Sequence, residues 1–144
     1  MPQSMVFKVF LDANICLDFI LQRKGFEIVD SIFERIVKGE VGGYVTPSIV
    51  HIISYYTKRV HSDEVLRQIL LKFLTVVEVI DCNHEIAVTA IASGMLDVED
   101  ALQYYTAIHH KIDYFITHDK LFRKACLPNL PVLYPADFLA LFYN

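Results

Sequence analysis

Met-Leu-Asp-Val-Glu-Asp-Ala-Leu-Gln-Tyr-Tyr-Thr, residues Met95 to Thr106, gathers Asp97, Glu99 and Asp100 and then runs into Ala101, Leu102, Tyr105 and Ile108, apolar positions at helical spacing. Three acids therefore open a helix. In a first turn they are stabilised by unpaired backbone N–H groups and the positive end of the macrodipole, with Asp97 placed as the N-cap. Two further acids, Asp12 and Asp119, stand at the ends of apolar stretches far away in sequence. If those stretches are parallel neighbouring strands, all the acids converge near Asp100.

Towards the N-terminus, Val6 to Asp12 is apolar, β-branched or aromatic and reads as a buried first strand that turns at Asp12-Ala13-Asn14. A short helix over Ile15 to Leu21 closes at Arg23-Lys24-Gly25. A second helix runs from about Glu27 to Lys38, with Ile28, Ile32, Phe33, Ile36 and Val37 on one face and Gly39 as its stop. Gly42-Gly43 leads into a short strand, Tyr44 to Thr46, and Pro47 opens a helix ending at Lys58-Arg59. Ser62 caps a helix through Phe73, Thr75 to Ile80 is a strand, and Asn83 caps a helix from His84 that stops at Gly94. Beyond the acidic stretch, Asp113 to Thr117 is a strand and His118-Asp119-Lys120 a turn. Leu121 to Ala125 is a short helix, Val132-Leu133 an edge strand and Pro135 to Phe142 a terminal helix. This alternation predicts one α/β domain over residues 1–144, with a mostly parallel central sheet flanked by helices on both faces.

A chain of 144 residues is long enough to bury roughly two-thirds of its unfolded surface in one core. Hydrophobic residues make up 54% and mean hydropathy is +0.38, which suggests apolar surface devoted to a partner subunit, a homodimer by default. No apolar run approaches the ~18 to 20 residues that span a bilayer. Met1-Pro2-Gln3-Ser4-Met5 also lacks the apolar segment of a signal peptide, so the expectation is a cytoplasmic protein without a membrane role. Cys16, Cys82 and Cys126 form no Cys-x-x-Cys pair and read as packing residues. The six histidines form no His-Glu-x-x-His pattern, which disfavours zinc. A net charge of −4 argues against an all-over basic coat for nucleic acid, although an acidic metal site accounts for much of that sign.

In an open parallel sheet, ligands bind outside the carboxyl ends of the strands, where Asp12 and Asp119 are both expected. Asp100 joins them only if its helix starts at the same edge, which the roughly 18 Å length of a twelve-residue helix permits. Three carboxylates held close together repel one another and raise each other's pKa values; a hard divalent cation removes that cost. Magnesium or manganese takes oxygen ligands, keeps several waters and lowers the pKa of a bound water, which is the chemistry of metal-assisted phosphodiester hydrolysis. Arg23-Lys24, Lys58-Arg59, Lys120, Arg123 and Lys124 are positioned to frame such a pocket and hold phosphates, or simply to solvate helix ends. Tyr55, Tyr56, Tyr104 and Tyr105, in apolar helices, are assigned to core or dimer packing, Asp81 beside Asn83 to a turn or cap, and His51 to a structural or partly exposed place.

At these residues the chain resembles a PIN domain, the nuclease fold found in VapC-type toxins of bacterial toxin–antitoxin pairs. The resemblance rests on Asp12-Ala13-Asn14 after the first strand, on Asp97-Val98-Glu99-Asp100-Ala101-Leu102-Gln103-Tyr104, and on Ile116-Thr117-His118-Asp119, in an order spanning nearly the whole chain. It implies a metal-dependent endoribonuclease in which Asp12, Asp100 and Asp119 are catalytic residues and ligands of Mg2+ or Mn2+, joined by Asp97 or Glu99. It also implies that Asn14 and Thr117 orient ligands or water, with RNA as substrate and an antitoxin protein as partner. His118 occupies a supporting position where related sequences often carry Arg. PIN nucleases usually place a further acid on the helix after the second strand, and Pro47 to Tyr56 contains no carboxylate. The alternative that follows is a catalytically weak or inactive PIN-like module that binds nucleic acid or a protein. A phospho-acceptor receiver domain with Asp81 as acceptor would want adjacent acids after the first strand, which Asp12-Ala13 does not supply.

Overall fold

The computed structural model describes residues 6–124 and 127–143. Ala125, expected to end a short helix, and Cys126, expected to pack, lie outside the described residues, as does the 1–5 segment. The element order is β1 (Phe7–Leu11), α1 (Ala13–Leu21), α2 (Phe26–Val37), β2 (Val41–Val45), α3 (Pro47–Thr57), α4 (Asp63–Phe73), β3 (Val77–Val79), α5 (His84–Ala92), α6 (Val98–His109), β4 (Tyr114–Ile116), α7 (Lys120–Lys124), β5 (Val132–Leu133) and α8 (Pro135–Ala140). The predicted α/β class holds. One five-stranded sheet runs in the order β3-β2-β1-β4-β5, and every pairing in it is parallel.

Central strands of such a sheet are covered on both faces, so they read as continuous apolar runs. Val9, Phe10, Leu11, Phe115 and Ile116 are accordingly fully buried. The pleat divides them between two layers. Phe10 lies opposite Phe115 in the register and stacks on it with ring centroids 4.8 Å apart, and Phe115 continues onto Tyr104 of α6 and Phe122 of α7. On the other face, Val9 lies opposite Gly43, and a Cβ at Gly43 would sit 2.9 Å from Ile36 of α2 and 3.3 Å from Leu11. Phe33 of α2 in turn stacks on Phe19 of α1 and leans on Phe73 of α4.

This close approach corrects the reading of the second strand. Gly42 and Gly43 are not a lead-in but belong to β2, and at Gly43 only a residue without a side chain lets α2 seat this tightly on the sheet. One further expectation fails. Cys82 is exposed, being in the connection between β3 and α5, whereas Cys16 is buried as expected. Tyr55 and Tyr56 are exposed, with the Arg59 guanidinium over both rings, while Tyr104 is a core residue whose hydroxyl donates to the Leu130 carbonyl at 2.6 Å. Among the described residues, no helix is long and apolar enough to cross a membrane.

Candidate functional site

The chain leaves β1 for β2 and β3 on one side and returns to β4 and β5 on the other, so the sheet's direction of winding reverses between β1 and β4. The crevice at such a reversal opens at the carboxyl ends of those two strands. Asp12 follows β1 directly and caps α1, its Oδ1 accepting from Ala13 N–H at 2.8 Å. Asp119 follows β4 and its Oδ1 accepts from Leu121 and Phe122 N–H. The Thr117 hydroxyl joins the two, donating to Asp12 Oδ2 at 2.7 Å and accepting from Asp119 N–H at 3.1 Å.

Which way α6 runs is set by its exit. Asp113 N–H, just past α6, donates to the carbonyl of Lys8 at the start of β1, so α6 ends at the amino edge and begins at the carboxyl edge. There Asp97 caps it by accepting from Asp100 N–H at 2.9 Å. One turn further, Gln103 is buried and accepts a hydrogen bond from the Thr46 hydroxyl at the end of β2, which ties this part of the helix to the sheet.

The electrostatics record the convergence. Asp100 is pushed up to about 7, first by partial burial and then by the charges of Asp97, Asp12, Asp119 and Glu99. Asp12 is raised by burial and by Asp119, while the hydrogen bonds from Thr117 and Ala13 pull it back. Glu99 is raised by burial and by Asp97 and Asp12. Asp100 thus lies in the fields of the other four acids named from the sequence. Among the described residues, however, no three His, Cys, Asp or Glu side chains close tightly enough around one point to chelate an ion by themselves. An all-oxygen, electrostatically frustrated but open donor set suits magnesium or manganese, which bind through one or two carboxylates and retain waters, and does not suit zinc.

Behind the acids lies a residue that the sequence reading passed over. Asp18, 9% exposed in the middle of α1, accepts from Arg23 Nε at 2.9 Å and pairs through Oδ2 with His118 Nε2 at 2.8 Å. Arg23 Nη2 reaches on to the carbonyl and side-chain oxygens of Asn14 at 3.1 and 3.3 Å. The available signal was an acid inside the otherwise apolar run Ile15 to Leu21, followed by Arg23 beyond the helix end. Of the basic residues expected to face phosphate, Arg23 is therefore committed to Asp18, and Arg123 pairs with Asp137 at 3.0 Å. Among the described residues, Lys24, Lys120 and Lys124 have no carboxylate within ion-pair distance.

No curated protein sequence matches this chain significantly. Solved structures share the fold, two among them as follows. One is VapBC2 from Rickettsia felis bound to a DNA fragment from its promoter, with TM-score 0.66, 19% identity, and coverage of 89% of this chain and 98% of that one. The other is a toxin–antitoxin complex from Klebsiella pneumoniae, with TM-score 0.67, 19% identity, and coverage of 88% and 97%. The family model described as PIN domain matches residues 8–121, which carry every acid of the crevice, and this chain belongs to the PIN domain family.

Proposed function

We propose that the protein is a magnesium- or manganese-dependent endoribonuclease that hydrolyses RNA phosphodiester bonds as the toxin of a toxin–antitoxin pair. The observation that carries this reading is the crevice between β1 and β4, where partial burial, and then repulsion from Asp97, Asp12, Asp119 and Glu99, pushes Asp100 up to about 7. Such repulsion costs stability unless a cation offsets it. Asp12, Asp100 and Asp119 are the proposed ligands and catalytic residues, with Asp97 and Glu99 adding negative field. When bound, the ion supplies positive charge to a phosphate and acidifies a coordinated water. Thr117 orients Asp12 and steadies the turn that carries Asp119, and Asn14 and His118 support the rim. Lys24, Lys120 and Lys124 supply cations for flanking phosphates. The likeness in fold to complexes from two toxin–antitoxin pairs supports an antitoxin as partner, and the apolar composition supports a homodimer.

The test is cleavage of mixed single-stranded and structured RNAs with manganese, magnesium or EDTA, beside an Asp100→Asn variant purified identically. Metal-dependent cleavage that the variant loses supports the reading. A second reading is favoured by one specific observation: α3 carries no carboxylate where these nucleases usually have one. On that reading the crevice binds nucleic acid or a protein without useful catalysis, and equal inactivity of wild type and variant, with metal still bound, would select it.

A further inference from the structure

A cleft of about 430 Å3 lies beside the acidic crevice, lined among others by Asp18, Lys24, Ile28, His118, Tyr134 and Pro135. The two spaces share a wall. His118 lies in the electrostatic surroundings of Asp12 on one side, and it is fixed by its bond to Asp18 on the other. The cleft is built from Asp18 in the middle of α1, the connection into α2 and its first turn, the turn after β4 that carries His118, and the start of α8, so its shape is set by tertiary packing and not by one loop.

We propose that this cleft seats the base of the nucleotide next to the scissile phosphate. The inference rests on the nuclease reading for the word scissile; the binding of a nucleotide does not. Its lining carries what a nucleotide needs. Ile28, 45% exposed, and Pro135 give apolar wall, and Tyr134 gives an aromatic ring whose position is held by the Arg123 guanidinium 4.4 Å from its centroid. Stacking on such a ring accepts any base, because every base has a π-face. Lys24, at the mouth and without a carboxylate partner among the described residues, is placed for the phosphate. The inner end is closed by Asp18 with Arg23 and His118 already engaged on it, so Lys24 draws the phosphate outward and the base lies inward.

The chain contains no tryptophan, so Tyr134→Trp places a single reporter in the cleft. It is made in an Asp100→Asn background without metal, so that no cleavage is required, and titrated with AMP, GMP, CMP, UMP, ribose 5-phosphate and inorganic phosphate. The expected result is saturable quenching by at least one nucleoside monophosphate, weakened about tenfold by adding Ile28→Asp. Tyr143→Trp, on an exposed residue outside the cleft, should stay unquenched. Quenching by ribose 5-phosphate or phosphate alone to the same extent would overturn the base-holding role. If Tyr134→Trp misfolds, ultraviolet cross-linking of wild type to 4-thiouridine 5′-monophosphate replaces it; adducts must map to residues 24–29 or 134–136, and adducts only elsewhere overturn the proposal. No nucleotide binding in a protein that still cleaves RNA sinks the cleft and leaves the nuclease standing. Nucleotide binding in a protein that cleaves nothing does the reverse.

Discussion

The hydroxyl of Thr117 donates to Asp12 Oδ2 across 2.7 Å, joining residues 105 positions apart at the two strand ends between which the sheet reverses. The same oxygen accepts from Asp119 N–H, so one hydroxyl spaces two acids of the crevice. Thr117→Val keeps the shape and deletes the bond. Stability should fall by about 1–2 kcal/mol in denaturant unfolding, since Asp12 loses a partner while half-buried. RNA cleavage should fall about tenfold or more through misplacement of Asp12. A variant equal to wild type in both would show the bond to be idle.

Asp100→Asn should abolish the proposed RNA cleavage and yet raise the melting temperature of the metal-free protein at neutral pH. The reason is that partial burial, and then the charges of Asp97, Asp12, Asp119 and Glu99, oppose its ionised form. The same substitution should shrink the stabilisation that manganese produces by binding the native state. A lower metal-free melting temperature would mean that the Asp100 carboxylate serves the fold.

The pH dependence has a definite sign. Asp100 is raised to about 7 in the folded protein against about 3.9 in an unfolded chain. Between those values the native state holds a proton that the unfolded state has released, so metal-free stability should fall as pH rises through that window and then level off. Asp12 and Glu99, also raised, act in the same direction. Added magnesium or manganese should offset the loss above the window far more than below it. Thermal melts across the range, with EDTA or metal, check both statements; a metal-free melting temperature that climbs over this window contradicts them.

Asp18→Asn tests the network behind the crevice. Arg23 and His118 are both substantially exposed, so water can resolvate them and the stability loss should stay near 1–3 kcal/mol. The larger effect should be on how tightly RNA is held, because Asn14 and His118 lose the group that fixes them. Separate measurement of KM and kcat decides: a change confined to kcat, with KM untouched, would contradict a role in holding substrate.

Gly43→Ala should cost about 1–3 kcal/mol through overpacking, as the new methyl meets Ile36, Val77 and Leu11 side chains that have to give way. Gly39→Ala, with no atom near its Cβ but a φ of +78°, should destabilise by backbone strain alone. Calorimetry on the pair separates the two causes. If shortening Ile36 to Val rescues Gly43→Ala but not Gly39→Ala, the packing account stands; if it rescues neither, the account is wrong.

The sequence by itself determined what is local. Apolar runs marked β1 and β4, periodicity marked α2, α4 and α6, and Ser62, Asn83 and Asp97 declared helix starts, because capping and amphipathic spacing act within a few residues. It also placed Asp12 and Asp119 at strand ends, since an acid directly after a buried strand has few other uses. Only the tertiary structure decided that β1 and β4 are neighbours and that α6 starts at the same edge, because both depend on pairing between segments about 100 residues apart. Asp18 makes the same point in one residue. In sequence it is a lone acid in an apolar helix; in space it is held by Arg23 nearby and by His118, 100 positions on. The inclusion of Gly42 and Gly43 in β2 was likewise invisible, since a glycine reads as a turn until the helix that needs its missing side chain is packed against it.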